Sequence, residues 1–484
     1  MRLLCLATAA SCLGGVALAQ PSPEPKDGKL VIPITITPTA APKPLSRYYL
    51  TPQYIDMQPG NRIPTFMKAS MEQQNFFAKE PADQRQKWNE LPLADLPVDE
   101  IKKSSVIGGL AYRKNFQDFR EGSGRPLSDV DQAARMLSSD WQIWFKVRRD
   151  GAGTLLPEVQ RMRELASVLK VRMRYEVKTG DFEKAAYSAR TFYGLSSAFE
   201  THPTLICMLV GIAIESIGLG VVEEMIQQPG CPNLYWSLTE MPAEVFNSRT
   251  ASQGERVILH AHFKPLTESV VMSDAELKKM TDTIDLILTM ADEGGNGAKK
   301  GPKPSEKFAE LAKDEKKVTE LRKELIAAGR KADAVNQFPA LQVVLAHNLL
   351  RYDILLDEFY RVMQLPHPDA IKLAAESEAK LKEESDALLA KGLLPTITKV
   401  KGAHTRIQQR VAYLRVIEAI RLHAHENGGK LPEKLADIKL PLPKDPVTGK
   451  DFEYGVKGDV ATLTGGGPEA GTPITRVYEI RLKK

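Results

Sequence analysis

The chain has 484 residues, 43% hydrophobic and 26% charged, with a formal net charge of +5. Such a length supports two or more cores, while so mild a charge, with no arginine-rich or aromatic-interleaved patch, argues against a nucleic-acid partner. Four cysteines without a Cys-x-x-Cys pair leave no thiol redox or zinc-ribbon motif.

Residues 1–19 read as a signal peptide. Met1-Arg2 supplies a minimal positive n-region, Leu3 to Leu18 is apolar or small, and Ala17-Leu18-Ala19 before Gln20 has the small-x-small form that signal peptidase cuts. Cleavage near Ala19 removes Arg2, taking +5 to +4, and delivers the mature chain to the periplasm or the exterior. Cys12 raises a lipoprotein reading, but the apolar stretch continues beyond it, which favours simple secretion. In that oxidising setting Cys207 and Cys231 form a candidate disulfide, Pro229-Gly230 turning the chain back; a packed thiol at Cys207 is the competing reading.

Residues 20–47 are rich in Pro, Thr and Ala around the alternating run Leu30 to Thr37, an edge strand or an extended arm, read as a tether. A helical domain is predicted over residues 48–290. Within it Leu156, Val159, Met162, Leu165, Leu169 and Met173 recur at spacings of three and four, one face of a helix. Thr179-Gly180-Asp181 ends that helix and caps the next, in which Phe182, Ala185, Ala186, Ala189 and Phe192 repeat the pattern. The Gly-Asp-x-x-x-Ala arrangement resembles the turn of a tetratricopeptide helix pair, although no 34-residue repeat recurs. Thr204 to Val222 is apolar enough to weigh as a membrane span, but Glu215 near its middle and three glycines favour a buried bundle helix.

A Gly/Lys-rich linker is expected at residues 291–305; no Gly-Lys-Ser or Gly-Lys-Thr makes it a phosphate loop. The helical region 306–427 follows. It opens on a charged helix from Ser305 to Ala328 with the seam Phe308, Leu311, Val318, Leu321 and Leu325. Leu345, Leu349, Tyr352, Leu356, Phe359 and Met363 make a bundle seam that Pro366 and Pro368 stop, and a last long helix carries Ile407, Val411, Leu414 and Ile417.

Candidate chemistry reduces to a few side chains. His260 with His262, and His423 with His425, have the His-x-His form that binds zinc from a strand; on a helix the two rings point about 200° apart and cannot chelate. Asp353 and Asp357 share a helix face, with Arg361 placed to pair with them. A nucleophile elbow and a dinucleotide-binding glycine fingerprint are missing, and no cofactor is implied.

Residues 428–484 carry a module signature. Gly428-Gly429 ends the helix, Leu431-Pro432-Glu433-Lys434-Leu435 is a short turn, and Phe452 to Val456, Val460 to Thr464 and Tyr478 to Leu482 alternate as a three-stranded antiparallel meander. This order, with Asp445-Pro446-Val447-Thr448-Gly449-Lys450 and Gly458-Asp459-Val460-Ala461-Thr462-Leu463, resembles the C-terminal part of a group of secreted, mainly helical proteins of Planctomycetes. Arg47-Tyr48-Tyr49, Pro59-Gly60-Asn61 and Pro203-Thr204-Leu205-Ile206 also look like that group. The resemblance implies a lineage and a compartment, and no activity. The same module is similar to the globular end of type II secretion pseudopilins, which implies Asp445, Asp451 and Asp459 as candidate calcium ligands. Asp445 capping a turn that Pro446 fixes is the competing reading.

The sequence therefore predicts a mainly α protein, a multi-helix bundle with a small C-terminal α+β module. The function expected is that of a structural or interaction component of the cell envelope, partnered by other envelope proteins and leaning away from an enzyme. An envelope hydrolase with a fold-assembled His/acid site and a pseudopilin-like assembly component are the alternatives.

Overall fold

The computed structural model describes residues 28–76, 82–104, 106, 127–150, 156–242, 246, 248–293, 303–467 and 474–483. The expected signal peptide, the start of the arm and most of the Gly/Lys-rich linker lie outside the described residues.

Strand β1 (Lys29–Ile36) precedes a parallel pair made by β2 (Gln58–Asn61) and the later β3 (Met136–Ser138). Between β2 and β3 lie α1 (Arg62–Phe76), α2 (Ala82–Glu90), α3 (Val98–Lys103) and α4 (Ser128–Ala133). After β3 come α5 (Trp144–Asp150), α6 (Pro157–Lys178), α7 (Phe182–Ser197), α8 (Leu205–Met225), α9 (Tyr235–Thr239), α10 (Ser248–Thr267) and α11 (Asp274–Glu293). The second half adds α12 (Pro304–Leu311), α13 (Glu315–Ala327), α14 (Ala332–Gln337), α15 (Ala340–Met363), α16 (His367–Glu383), α17 (Leu388–Leu393) and α18 (Pro395–Glu426), then β4 (Glu453–Lys457), β5 (Val460–Thr464) and β6 (Thr475–Leu482). The molecule is mainly helical, with a small C-terminal sheet of mixed strands.

Helix faces follow the spacing of apolar residues. On α6, Met162, Leu165, Leu169 and Met173 are fully buried, and the facing residues of α7, among them Ala185 and Phe192, are buried against them. Asp181 caps α7 by accepting from Lys184 N at 3.2 Å. Helix α8 packs on α6, α7 and α18. Among the described residues it is the one helix long and apolar enough to cross a membrane by length and composition. Its Glu215 is 4% exposed and accepts a hydrogen bond from Ser196 Oγ, so the carboxylate that counts against a span has a partner inside the bundle. The α15 seam from Leu345 to Met363 is buried as its spacing predicts.

Two elements differ from expectation. The charged helix predicted from Ser305 to Ala328 is divided into α12 and α13, because Asp314 breaks it and caps the second piece, its carboxylate accepting from Lys317 N at 3.0 Å. The C-terminal sheet has four strands, in the order β1-β6-β5-β4, with β1 parallel to β6 and the other pairs antiparallel. The run read as a tether is thus an edge strand. Pro33 suits that place, since an edge strand leaves one row of backbone donors outside the ladder. One contiguous set of buried side chains runs from Ile34 in β1 to Ile480 in β6.

Candidate functional site

Of the residues singled out in the sequence, the fold joins His260 to Asp353 and leaves His262, His423 and His425 outside that contact. His260 on α10 lies 2.9 Å from Asp353 Oδ1 on α15, and Arg256 one helical turn earlier pairs with Asp357. The two aspartates therefore tie α15 to α10, while Arg361 turns to Glu358. His262 bonds to the Asp150 backbone and burial lowers its pKa. His423 is half-buried and His425 exposed at the end of α18. Among the described residues no three His, Cys, Asp or Glu side chains converge to hold a metal ion.

Asp445 is 1% exposed, and its carboxylate accepts from Gln409 Nε2 at 2.9 Å, Val447 N at 3.0 Å, Thr448 Oγ1 at 3.1 Å and Gly466 N at 2.8 Å. Four neutral donors satisfy it as the centre of a loop, whereas Asp451 and Asp459 are exposed and stand outside this cluster. Cys207 and Cys231 are buried and are not joined as the candidate disulfide. Cys207 lies in the first turn of α8 and Cys231 beyond its last, a separation of about 27 Å along the helix axis, and the turns at Gln228 and Cys231 do not retrace it.

A different group of residues surrounds a cleft of about 200 Å³. The first two turns of α1 supply Ile63, Pro64 and Met67, the segment from Asp140 to Ile143 with Lys146 forms a second wall, and Leu156 with Glu158 and Val159 of the first turn of α6 forms a third. His202 closes it. The second wall is pinned from both sides. Asn61 Oδ1 accepts from Asp140 N at 2.9 Å and its Nδ2 donates to Asp140 O at 2.7 Å, while Trp141 Nε1 donates to Ala198 O at 2.9 Å. These contacts hold Gln142 at a φ of 49°, a left-handed conformation that costs about 1–3 kcal/mol in a residue with a Cβ and clusters at ligand sites.

His202 sits in the turn between α7 and α8. Its backbone N donates to Phe199 O at 3.1 Å, and Thr204, the N-cap of α8, accepts from Cys207 N at 3.2 Å. Helix α10 crosses this turn so closely that a Cβ at Gly254 would lie 1.8 Å from Pro203 O. The His202 ring is fully buried, edge-on to Trp141 at 4.7 Å between centroids, with Nδ1 3.2 Å from Thr204 Oγ1. Thr204 Oγ1 also accepts from Cys207 N, and we assign its own proton to Nδ1, the acceptor beside it, which places the ring proton on Nε2. That Nε2 is buried and has no partner among the described residues; Glu158 Oε2, of the same lining, is in the same condition. The other Glu158 oxygen faces Lys146 Nζ at 3.5 Å.

Burial lowers the His202 pKa to about 3, so the ring is neutral across the physiological range. A proton shuttle needs a pKa near the working pH, and His202 is far from it; what it offers is one fixed hydrogen bond. Sequence reading passed over His202 because a single histidine carries no spacing. The one local signal was Thr204, which as an N-cap announces that the preceding turn is fixed.

Comparison of the chain with family models, curated proteins and solved structures finds no match.

Proposed function

We propose that this protein is a helical binding and interaction component of the cell envelope, with the cleft beside His202 as its recognition site. One observation carries the reading. His202 and Glu158 both line the cleft, and each holds a buried polar atom, Nε2 and Oε2, that has no partner among the described residues. Each such group costs about 1–3 kcal/mol when left unsatisfied, a cost that a ligand bearing the complementary groups removes. The envelope location rests on the signal-like residues 1–19 and the resemblance to secreted Planctomycete proteins. Exposed helical faces and the Gly/Lys-rich linker of residues 291–305 suit a scaffold whose partners are other envelope proteins.

The test is a titration of the mature protein with glucose, N-acetylglucosamine, sodium acetate and methylammonium chloride, read by tryptophan fluorescence. A saturable change that disappears in Trp141→Phe is expected. Flat titrations with every probe in a folded protein would overturn the reading. Export is checked by the N-terminus of the protein in its own envelope fraction, expected at Gln20; retention of Met1 there counts against a cleaved signal.

A further inference from the structure

We infer that the cleft takes a neutral, hydroxyl-rich ligand of single-ring size, a saccharide unit; this rests on the binding reading above. The hydrogen-bonding demand is mixed in sign. His202 Nε2–H needs an acceptor and Glu158 Oε2 needs a donor, and a hydroxyl is the small group that serves as either. A carboxylate ligand satisfies the first and repels the second, while an ammonium ligand does the reverse.

The charges around the cleft select against an anion. Asp140 and Glu158 stand against Lys146, which faces Glu158 at 3.5 Å, and His202 is uncharged. Lys146 is therefore already committed, and the remaining polar groups present neutral or negative surface. A small cation is disfavoured where the His202 ring carries its proton on Nε2, since that side then offers a donor.

Beside the polar Asn61 and Gln142, the rest of the lining is apolar. Trp141, Ile143, Leu156 and Val159 offer carbon surface of the kind that packs on the C–H face of a sugar ring. A volume of about 200 Å³ is smaller than the ~300–1,000 Å³ of clefts that take drug-sized molecules, which points to a small ligand.

The experiment is isothermal titration of the intact mature protein with glucose, galactose, mannose and N-acetylglucosamine, and separately with sodium acetate and methylammonium chloride, against His202→Phe and Glu158→Leu. At least one sugar is expected to bind saturably, with affinity falling about tenfold or more in each variant, as for loss of a hydrogen bond of ~1.4 kcal/mol. His202 is buried and its variant is accepted only if circular dichroism matches the parent; Glu158, at the cleft rim, decides the matter otherwise. Saturable binding of acetate or methylammonium with no sugar bound overturns the saccharide assignment and leaves the binding reading standing. Binding of no probe overturns both. Sugar binding that survives unchanged in the folded variants overturns the placement in this cleft.

Discussion

Glu215 shows what one buried carboxyl does to the whole molecule. It lies inside α8, 4% exposed, with the Ser196 hydroxyl donating to it. Burial raises its pKa from 4.5 to about 7, against the opposing pull of that hydrogen bond. In the unfolded chain the proton leaves near pH 4.5, whereas the folded protein keeps it until about pH 7. The folded state therefore binds the extra proton between those values, and stability is lost as pH rises through them. A shift from 4.5 to about 7, at 1.36 kcal/mol per unit, amounts to about 3 kcal/mol. Glu215→Gln keeps an acceptor for Ser196 and removes the titration. Urea unfolding at pH 4 and pH 8 is expected to show the variant gaining about 3 kcal/mol on the parent between the two conditions. Glu176 and Glu255 are raised to about 7 as well, so both proteins retain a common slope, and the difference isolates Glu215. Parallel pH profiles for the two proteins would show that the buried carboxyl is not held as described.

At the scale of elements, the packing of α10 on the turn before α8 sets the position of the cleft. Gly254 permits it, since an added Cβ would stand 1.8 Å from the Pro203 carbonyl oxygen and 2.6 Å from its carbon. Neither atom is the end of a flexible side chain, so Gly254→Ala must push one backbone off the other. Its cost is expected at or above the top of the roughly 1–3 kcal/mol range for overpacking, with weakened ligand binding because Pro203 adjoins His202. Urea unfolding that finds a loss below about 0.5 kcal/mol would rule out so tight a contact. Elements were legible in the sequence where their cause is local. The buried faces of α6, α7 and α15 follow from spacings of three and four, and each such face is complete within its own helix. The break at Asp314 was missed because the apolar seam continues across it, although an aspartate at that point is also a cap signal. The partner of β1 and the cleft were not legible for a common reason. Lys29 pairs with Thr475, and Trp141 meets His202, through contacts that no short window of sequence contains.

For the molecule as a whole, Arg421 joins the two ends of the chain. It is fully buried on α18 beside Glu418, with Nη1 3.1 Å from the Glu418 carboxylate. Its Nε donates to Thr37 O at 2.8 Å and its Nη2 to Thr39 Oγ1 at 3.0 Å, both just beyond β1; Nη1 and Nη2 also reach the carbonyls of Pro232 and Cys231. The first strand is thus held along its length by β6 and at its end by a guanidinium from the last helix. Ile34 and Ile36 are buried beneath it, worth about 1.5–3 kcal/mol each as an upper estimate. A chain that begins at Ala40 loses that burial and two of the acceptors of Arg421. Arg421→Lys keeps the positive charge that Glu418 needs but cannot fork to four separate acceptors. If the arm and Arg421 act as one fastening, the lysine costs less in the shortened chain, where part of what it forfeits is already gone. Urea unfolding of the parent, the two single changes and their combination is expected to show a combined loss smaller than the sum by about 0.5–3 kcal/mol, the range for groups that share a network. Additive losses would mean that β6 alone holds the arm and that Arg421 serves only Glu418 and the turn at Cys231.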